Sequence, residues 1–228
     1  PTDNTVCAIY INKALSGSIS GMRITSNANG IHFNAGGNNL TIRNCIIDNC
    51  QYGIYLHNIS NTLYIYNNLI VNCDKMALHL SIYNNDRTYY YTIKGNIIAY
   101  NKEGGIYYNY LDGNNVVYIA NNNVYENGGN YHSLAAPGTG DISKNPRFID
   151  AESGNYVLQS SSPCINSGVP GMLDPDGSRS DMGPYATMTA KSFWPYPQHG
   201  PIVKELSIIP SAIPKGGKLS IKATGEIR

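Results

Sequence analysis

The apolar residues of this chain come in short alternating bursts, each closed by Asn or Gly, with no stretch at the 3.6-residue spacing of an amphipathic helix. Residues 38–56, NNLTIRNCIIDNCQYGIYL, set the pattern. It returns at 61–80 (NTLYIYNNLIVNCDKMALHL), at 90–108 (YYTIKGNIIAYNKEGGIYY) and, worn, at 116–131 (VVYIANNNVYENGGNY). Ile19, Ile42, Ile65, Ile93 and Ile119 fall in equivalent places, 23 to 28 residues apart, within the range of solenoid repeats. Each unit holds three bursts; in the second they are Leu40–Ile42, Cys45–Ile47 and Ile54–Leu56. Three short strands per repeat predict a coil with three parallel sheets, its turns stacked about 4.8 Å apart.

Aligned columns add detail. Gly21, Asn44, Asn67, Gly95 and Asn121 follow the first strand of each unit, and Gly and Asn are the residues that accept a left-handed backbone cheaply. A sharp bend is expected there. Gly30, Gly53, Ala77, Gly105 and Gly129 form a small-residue column before the third strand. Ile24, Ile47, Ile70, Ile98 and Val124 read as core, as do Ile31, Ile54, Leu78 and Ile106. Asn27, Cys50, Cys73, Asn101 and Asn127 stack at the other bend, where amides can hydrogen-bond along the axis. Cys50 and Cys73 then sit about 5 Å apart, within disulfide reach, and are read as stacked buried thiols in preference to a bridge.

These columns resemble the right-handed parallel β-helix of the pectate-lyase-like superfamily, over about residues 5–134. The resemblance implies that the left-handed bend separates the second sheet from the third. Ile54–Leu56 and its equivalents then belong to the first sheet, which usually lines the substrate cleft. From residue 141 the pattern changes to NPRFID (145–150), SPCIN (162–166) and DPDGSRSDMGPY (174–185). This is similar to the closing segment of many secreted bacterial β-helix proteins, which implies export to the cell surface or beyond. The expected organisation is coils over 1–140, a closing segment over 141–186 packed on the last coil, a Pro-rich linker over 187–201, and the β-rich start of an incomplete domain over 202–228. In that last coil Asn130 and His132 are expected to point inward. The chain opens as if in mid-fold, so a trimmed N-terminus and further domains of the same polypeptide are expected.

Composition narrows the function. A net charge of +1, with 14% of residues charged, gives no footprint for nucleic acid or an anionic membrane. No apolar run reaches the roughly 18 residues needed to span a bilayer. The five Cys show no zinc spacing. Tyr (19) far outnumbers Phe (3), which places many rings at the surface, where the phenol can reach water.

Strand alternation turns one column of rings outward on the first sheet: Tyr10, His32, Tyr55, His79, Tyr107 and Tyr131. Beside it lie Asn12, Asn34, His57, Ser81, Asn109 and Ser133. Rings that stack on sugar faces, flanked by amides and hydroxyls that bind sugar hydroxyls, point to a polysaccharide track, with Asn109 among its polar contacts. The same column also reads as ordinary cross-strand stabilisation. Calcium-dependent lysis, which the family resemblance would imply, needs acidic ligands here, and neither column has an Asp or Glu. No cofactor is therefore expected, calcium staying open as an alternative without a convincing site. Nearby Asp74, Lys75, Lys102 and Glu103 read as a surface ion-pair lattice, and Asp174-Pro-Asp-Gly as a polar turn. A metal-free lyase remains compatible: Asn34 at a uronate carboxyl, with His57 and Tyr55 as base and acid. Two classes thus stand side by side, a polysaccharide-binding or -processing coil and a rigid spacer of a larger surface protein.

Overall fold

The computed structural model describes residues 7–12, 16–34, 39–57, 62–81, 89–109, 116–194, 202–209 and 220–226, with backbone alone for His57, Lys191 and the strands beyond 201. The chain divides into two units, Pro1–Phe193 and Trp194–Arg228. In the second, Ile202–Ile209 and Ser220–Glu226 pair as an antiparallel hairpin.

The first unit is an all-β parallel solenoid of three sheets. The first sheet stacks Ile9–Ile11, Ile31–Phe33, Ile54–His57, Met76–Ser81, Gly104–Tyr108 and Tyr131–Ser133. The second stacks Gly17–Ser20, Leu40–Arg43, Thr62–Tyr66, Tyr90–Lys94 and Val116–Ala120. The third stacks Arg23–Ile24, Ile46–Asp48, Leu69–Val71, Ile97–Ala99 and Asn123–Tyr125. All these pairings are parallel, and Ile19, Ile42, Ile65, Ile93 and Ile119 stand in register, as the repeat predicts. Helical structure among the described residues is one turn, Ala190–Phe193.

The bend between the second and third sheets is left-handed in every coil: Gly21, Asn44, Asn67, Gly95 and Asn121 have φ between 51° and 68°. Gly21 is fixed twice over, because a Cβ there would also overlap the Phe193 side chain. A second left-handed column, Asn49, Asn72, Tyr100 and Glu126, follows the third sheet.

Two amide ladders run beside these bends. At one, Asn68, Asn96 and Asn122 are wholly buried. Each side-chain oxygen accepts from the backbone N–H of the coil before it: Cys45 to Asn68, Asn68 to Asn96, Asn96 to Asn122, at 2.9–3.0 Å. Asp141 ends this ladder by accepting from the Asn122 backbone N–H at 2.7 Å. At the other, Asn101 accepts from the Cys73 backbone N–H and Asn127 from that of Asn101. Cys50 and Cys73 are free, buried thiols in that column.

The interior is aliphatic, with Ile31, Ile42, Ile47, Ile54, Ile65, Ile70, Leu78, Ile98 and Ile106 shielded almost completely. Not every tyrosine goes to the surface: Tyr89 and Tyr91 are buried, and burial holds the Tyr91 phenol far above its ordinary range. On the third sheet both faces are covered. Ile47, Ile70 and Ile98 point inward, yet the alternate residues Ile46, Leu69, Val71 and Ile97 are at most 1% exposed.

Residues beyond 143 provide that cover. The Asn123 amide donates to the Lys144 carbonyl at 2.7 Å and contacts Cys164 Sγ at 3.1 Å. Gly183 donates its N–H to the Gly95 carbonyl, and a Cβ on it would come within 2.8 Å of Ile97. The Asn44 amide reaches the carbonyls of Pro184 and Ala186, and Arg23 that of Gly154. Rather than packing on the last coil alone, the segment passes along the outside of the third sheet more than once, from the last coil at Lys144 to the first at Gly154, back to the last at Cys164, and again towards the first through Gly183–Ala186.

Within it, burial and the neighbouring Asp174 carboxylate push the Asp181 carboxyl up to about 6. An acid raised on folding binds more protons folded than unfolded, so stability falls as pH rises through this window. The thermal midpoint should therefore decline between about pH 4 and 6, and Asp181→Asn should flatten that part of the profile. An equal slope in both proteins would assign the dependence elsewhere.

Candidate functional site

The first sheet carries the expected ring column on its outer face, because each ring sits one place after a buried aliphatic residue: Ile31, Ile54, Leu78 and Ile106 precede His32, Tyr55, His79 and Tyr107. Ring centroids follow one another at 5.3 Å (Tyr10 to His32), 5.0 Å (His32 to Tyr55), 5.0 Å (Tyr55 to His79) and 4.6 Å (His79 to Tyr107). The register corrects one member. Tyr131 pairs with Ile106 and His132 with Tyr107, so the outward column ends on His132 and alternates Tyr and His from coil to coil.

The cause is a shorter bend. Asn101 and Asn127 share a column, but the strand opens on Gly104–Gly105 in one coil, whereas Gly128–Gly129 lie within the bend of the next. Asn130, not Gly129, aligns with Gly105, and Tyr131 and Ser133, not Asn130 and His132, take the inward places. Tyr131 packs against the core, and its hydroxyl donates to Asp141 at 2.7 Å. Burial and that carboxylate push its phenol far up.

Ring orientation also differs from a flat track. Tyr55, His79 and Tyr107 are nearly parallel, 14° apart at each step. Rings at 4.6–5.0 Å cannot lie side by side in one plane, so they stand upright and stack on each other. The coil spacing of about 4.8 Å brings them within stacking distance. The faces of these three rings are turned to one another, whereas Tyr10, His32 and Tyr55 meet edge to face, at 90° and 77°. Tyr10, at the first coil, is the exposed member at 49%.

Tyr52 joins the strip from the preceding bend, 5.0 Å from Tyr55 and 5.3 Å from His79. Lys75 lies over its ring at 5.1 Å. Sequence reading missed Tyr52 because it falls in a bend, outside the alternating pattern. Polar neighbours fix the imidazoles: the His79 Nε2 is 2.7 Å from Ser81 Oγ, and the His32 Nδ1 is 3.3 Å from the Asn29 amide. Asn34 is exposed and Asn109 half-buried at the strand ends. His57 lies on the strand in register with Ser81, and its side chain falls outside the described residues. Asp74 and Lys102 form an ion pair with both side chains largely in solvent, which contributes little.

What this face can do chemically is hydrogen-bond a ligand lying along it, through donors and acceptors repeated at the coil spacing. Among the described residues no group of three or more His, Cys, Asp or Glu is placed to hold a metal ion. No described helix is long and apolar enough to cross a membrane.

In a comparison of sequences, no curated protein matches the chain. Residues 2–162 match the family described as the right handed beta helix region, which covers well over half of the chain. A register-perfect three-sheet coil and that match agree: the chain belongs to the right-handed β-helix family.

Proposed function

We propose that the outer face of the first sheet binds an extended polysaccharide, on a protein exported to the surface or surroundings of a bacterial cell. The continuous ring column from Tyr10 to Tyr107 carries this reading. The phenol hydroxyls of Tyr10, Tyr55 and Tyr107, bordered by Asn34 and Asn109, offer donors and acceptors to successive sugar hydroxyls, while His79, whose Nδ1 is buried and whose Nε2 meets Ser81, holds the stack. Because Tyr55, His79 and Tyr107 turn their faces to one another, hydrogen bonds rather than stacking would supply most of the affinity at the centre of the strip. Export is supported by the resemblance of the closing segment to that of secreted β-helix proteins. If the face is also catalytic, a lyase-like elimination fits its residue types, with His57 and Tyr55 exchanging protons and Asn34 at the uronate carboxyl.

The test compares wild type with a Tyr55/His79/Tyr107 triple-Ala variant on a panel of plant and algal polysaccharides. Each central substitution is expected to weaken binding by about 1 kcal/mol or more. Tyr107→Phe should lose nearly as much as Tyr107→Ala, since the hydroxyl edge makes the contact. Binding should change little with salt, as the face is nearly neutral. Catalysis makes a separate demand, that His57→Ala abolish turnover while binding largely survives, and that Tyr55→Phe lower turnover far more than it weakens binding. Equal retention of wild type and triple variant would leave the coil as a spacer between domains.

A further inference from the structure

Away from the first sheet, the turn Ala151–Gly154 of the closing segment crosses the start of the third sheet and leaves a cavity of about 410 Å³ beneath it. Its lining includes Arg23, Asp48, Asn49, Asn72, Glu152 and Tyr156. Asp48 is 3% exposed, and its carboxylate accepts from Arg23 at 3.0 Å, Asn49 at 2.8 Å and Asn72 at 3.1 Å. Arg23 also donates to the Gly154 carbonyl at 3.1 Å and lies 5.5 Å from the Tyr156 ring centre. The Asn72 amide donates to the Tyr156 hydroxyl at 3.2 Å.

Fastening the segment does not by itself require a hollow. Further along, the same segment closes over Ile46, Leu69 and Ile97 and leaves them at most 1% exposed. Here it stands off behind a rigid polar wall, and the hollow falls within the size range of small-ligand sites, about 300–1,000 Å³.

The lining selects the ligand class. Polar groups predominate, which disfavours an apolar guest. Arg23, the cation of the wall, is already paired with Asp48, and Glu152 adds a second carboxylate, so a free anion gains nothing. The guanidinium in turn disfavours a metal cation. What remains is a neutral molecule whose groups donate and accept together, as the vicinal hydroxyls of a sugar do. Asp48 is taken up within the wall, but Arg23 keeps further N–H groups, Asn49 and Asn72 their amide oxygens and Glu152 its carboxylate, so donors and acceptors still share one small wall, with the Tyr156 ring beside them.

We propose that this pocket is a carbohydrate site separate from the first sheet, holding a single neutral sugar unit or the end of a short glycan. The experiment titrates the full chain with glucose, galactose, mannose, xylose and rhamnose, each to about 10 mM, and follows backbone amide NMR shifts. At least one sugar should shift the amides of Ala151–Tyr156. Ala151→Trp, which fills the cavity, should weaken that binding by about tenfold or more, and Glu152→Ala, which removes an exposed acceptor, by several-fold. The Tyr55/His79/Tyr107 triple-Ala variant should bind the sugar as wild type does, which separates this site from the strip. No shift with any of the sugars would overturn the proposal, as would shifts that persist unchanged in Ala151→Trp with its thermal midpoint intact.

Discussion

A chain ended after Lys144 is expected to associate or precipitate where the full chain stays in solution. Its loss uncovers Ile46, Leu69, Val71 and Ile97, a continuous apolar stripe on the outer face of the third sheet. Each re-exposed side chain forfeits about 1.5–3 kcal/mol, so four of them rival the whole net stability of an ordinary domain, about 5–15 kcal/mol. Part of that is returned as the conformational freedom of the removed residues. Association is therefore the sharper readout, because contiguous apolar surface seeks a partner. Size-exclusion chromatography with thermal unfolding checks it. A soluble monomer with an unchanged midpoint would show that the segment contributes nothing to the coil.

Asn96→Ala should be the most damaging single substitution outside the aliphatic core. The Asn96 oxygen accepts from the backbone and side chain of Asn68, and its amide donates to the carbonyls of Ile65 and Lys94 and to the Asn122 oxygen. Asn96, Asn68, Asn122 and Ile65 all lie where water does not reach. Alanine would strand the Asn68 N–H and the Ile65 carbonyl in particular, at about 1–3 kcal/mol for each buried group left unpaired. A total loss of about 3–5 kcal/mol is expected in denaturant unfolding, with the slope unchanged. Asn96→Asp should be nearly as harmful, since a carboxylate cannot supply the donors. A loss below about 1 kcal/mol would mean that the ladder relaxes around the gap.

The repeat was legible because its residues answer to single constraints. Only a residue that tolerates φ near 55° suits the bend at Asn44, and only an aliphatic suits Ile47. The second left-handed column was hidden because Tyr100 and Glu126 occupy it, types that give no such signal. The Asn68–Asn96–Asn122 ladder was overlooked one place beyond the column that was read, although three stacked asparagines marked it. Tyr131 was misplaced because two Gly-Gly pairs were matched to each other, when one opens a strand and the other lies in a bend. The covering of the third sheet also left a trace: Ile46–Ile47, Leu69–Val71 and Ile97–Ala99 are apolar on successive residues, the mark of a strand buried on both sides. Tyr52 and the pocket behind Asp48 leave no such trace, since both join residues from bends and from a segment distant in sequence.

Solenoids are nearly one-dimensional: each turn touches its two neighbours, and either end can fray without consequence for the other. The strap along the third sheet removes that independence. Arg23 and Asn44, on the first coils, are tied to carbonyls 131 to 142 positions later in the chain. The first turn cannot peel away while the strap is docked, and the strap cannot lift without uncovering every coil it crosses. A string of weakly coupled turns becomes a closed circuit. Its amide protons should exchange as one cooperative body rather than along a gradient from the ends, and its folding must await the latest-made residues, as slow as those distant contacts are.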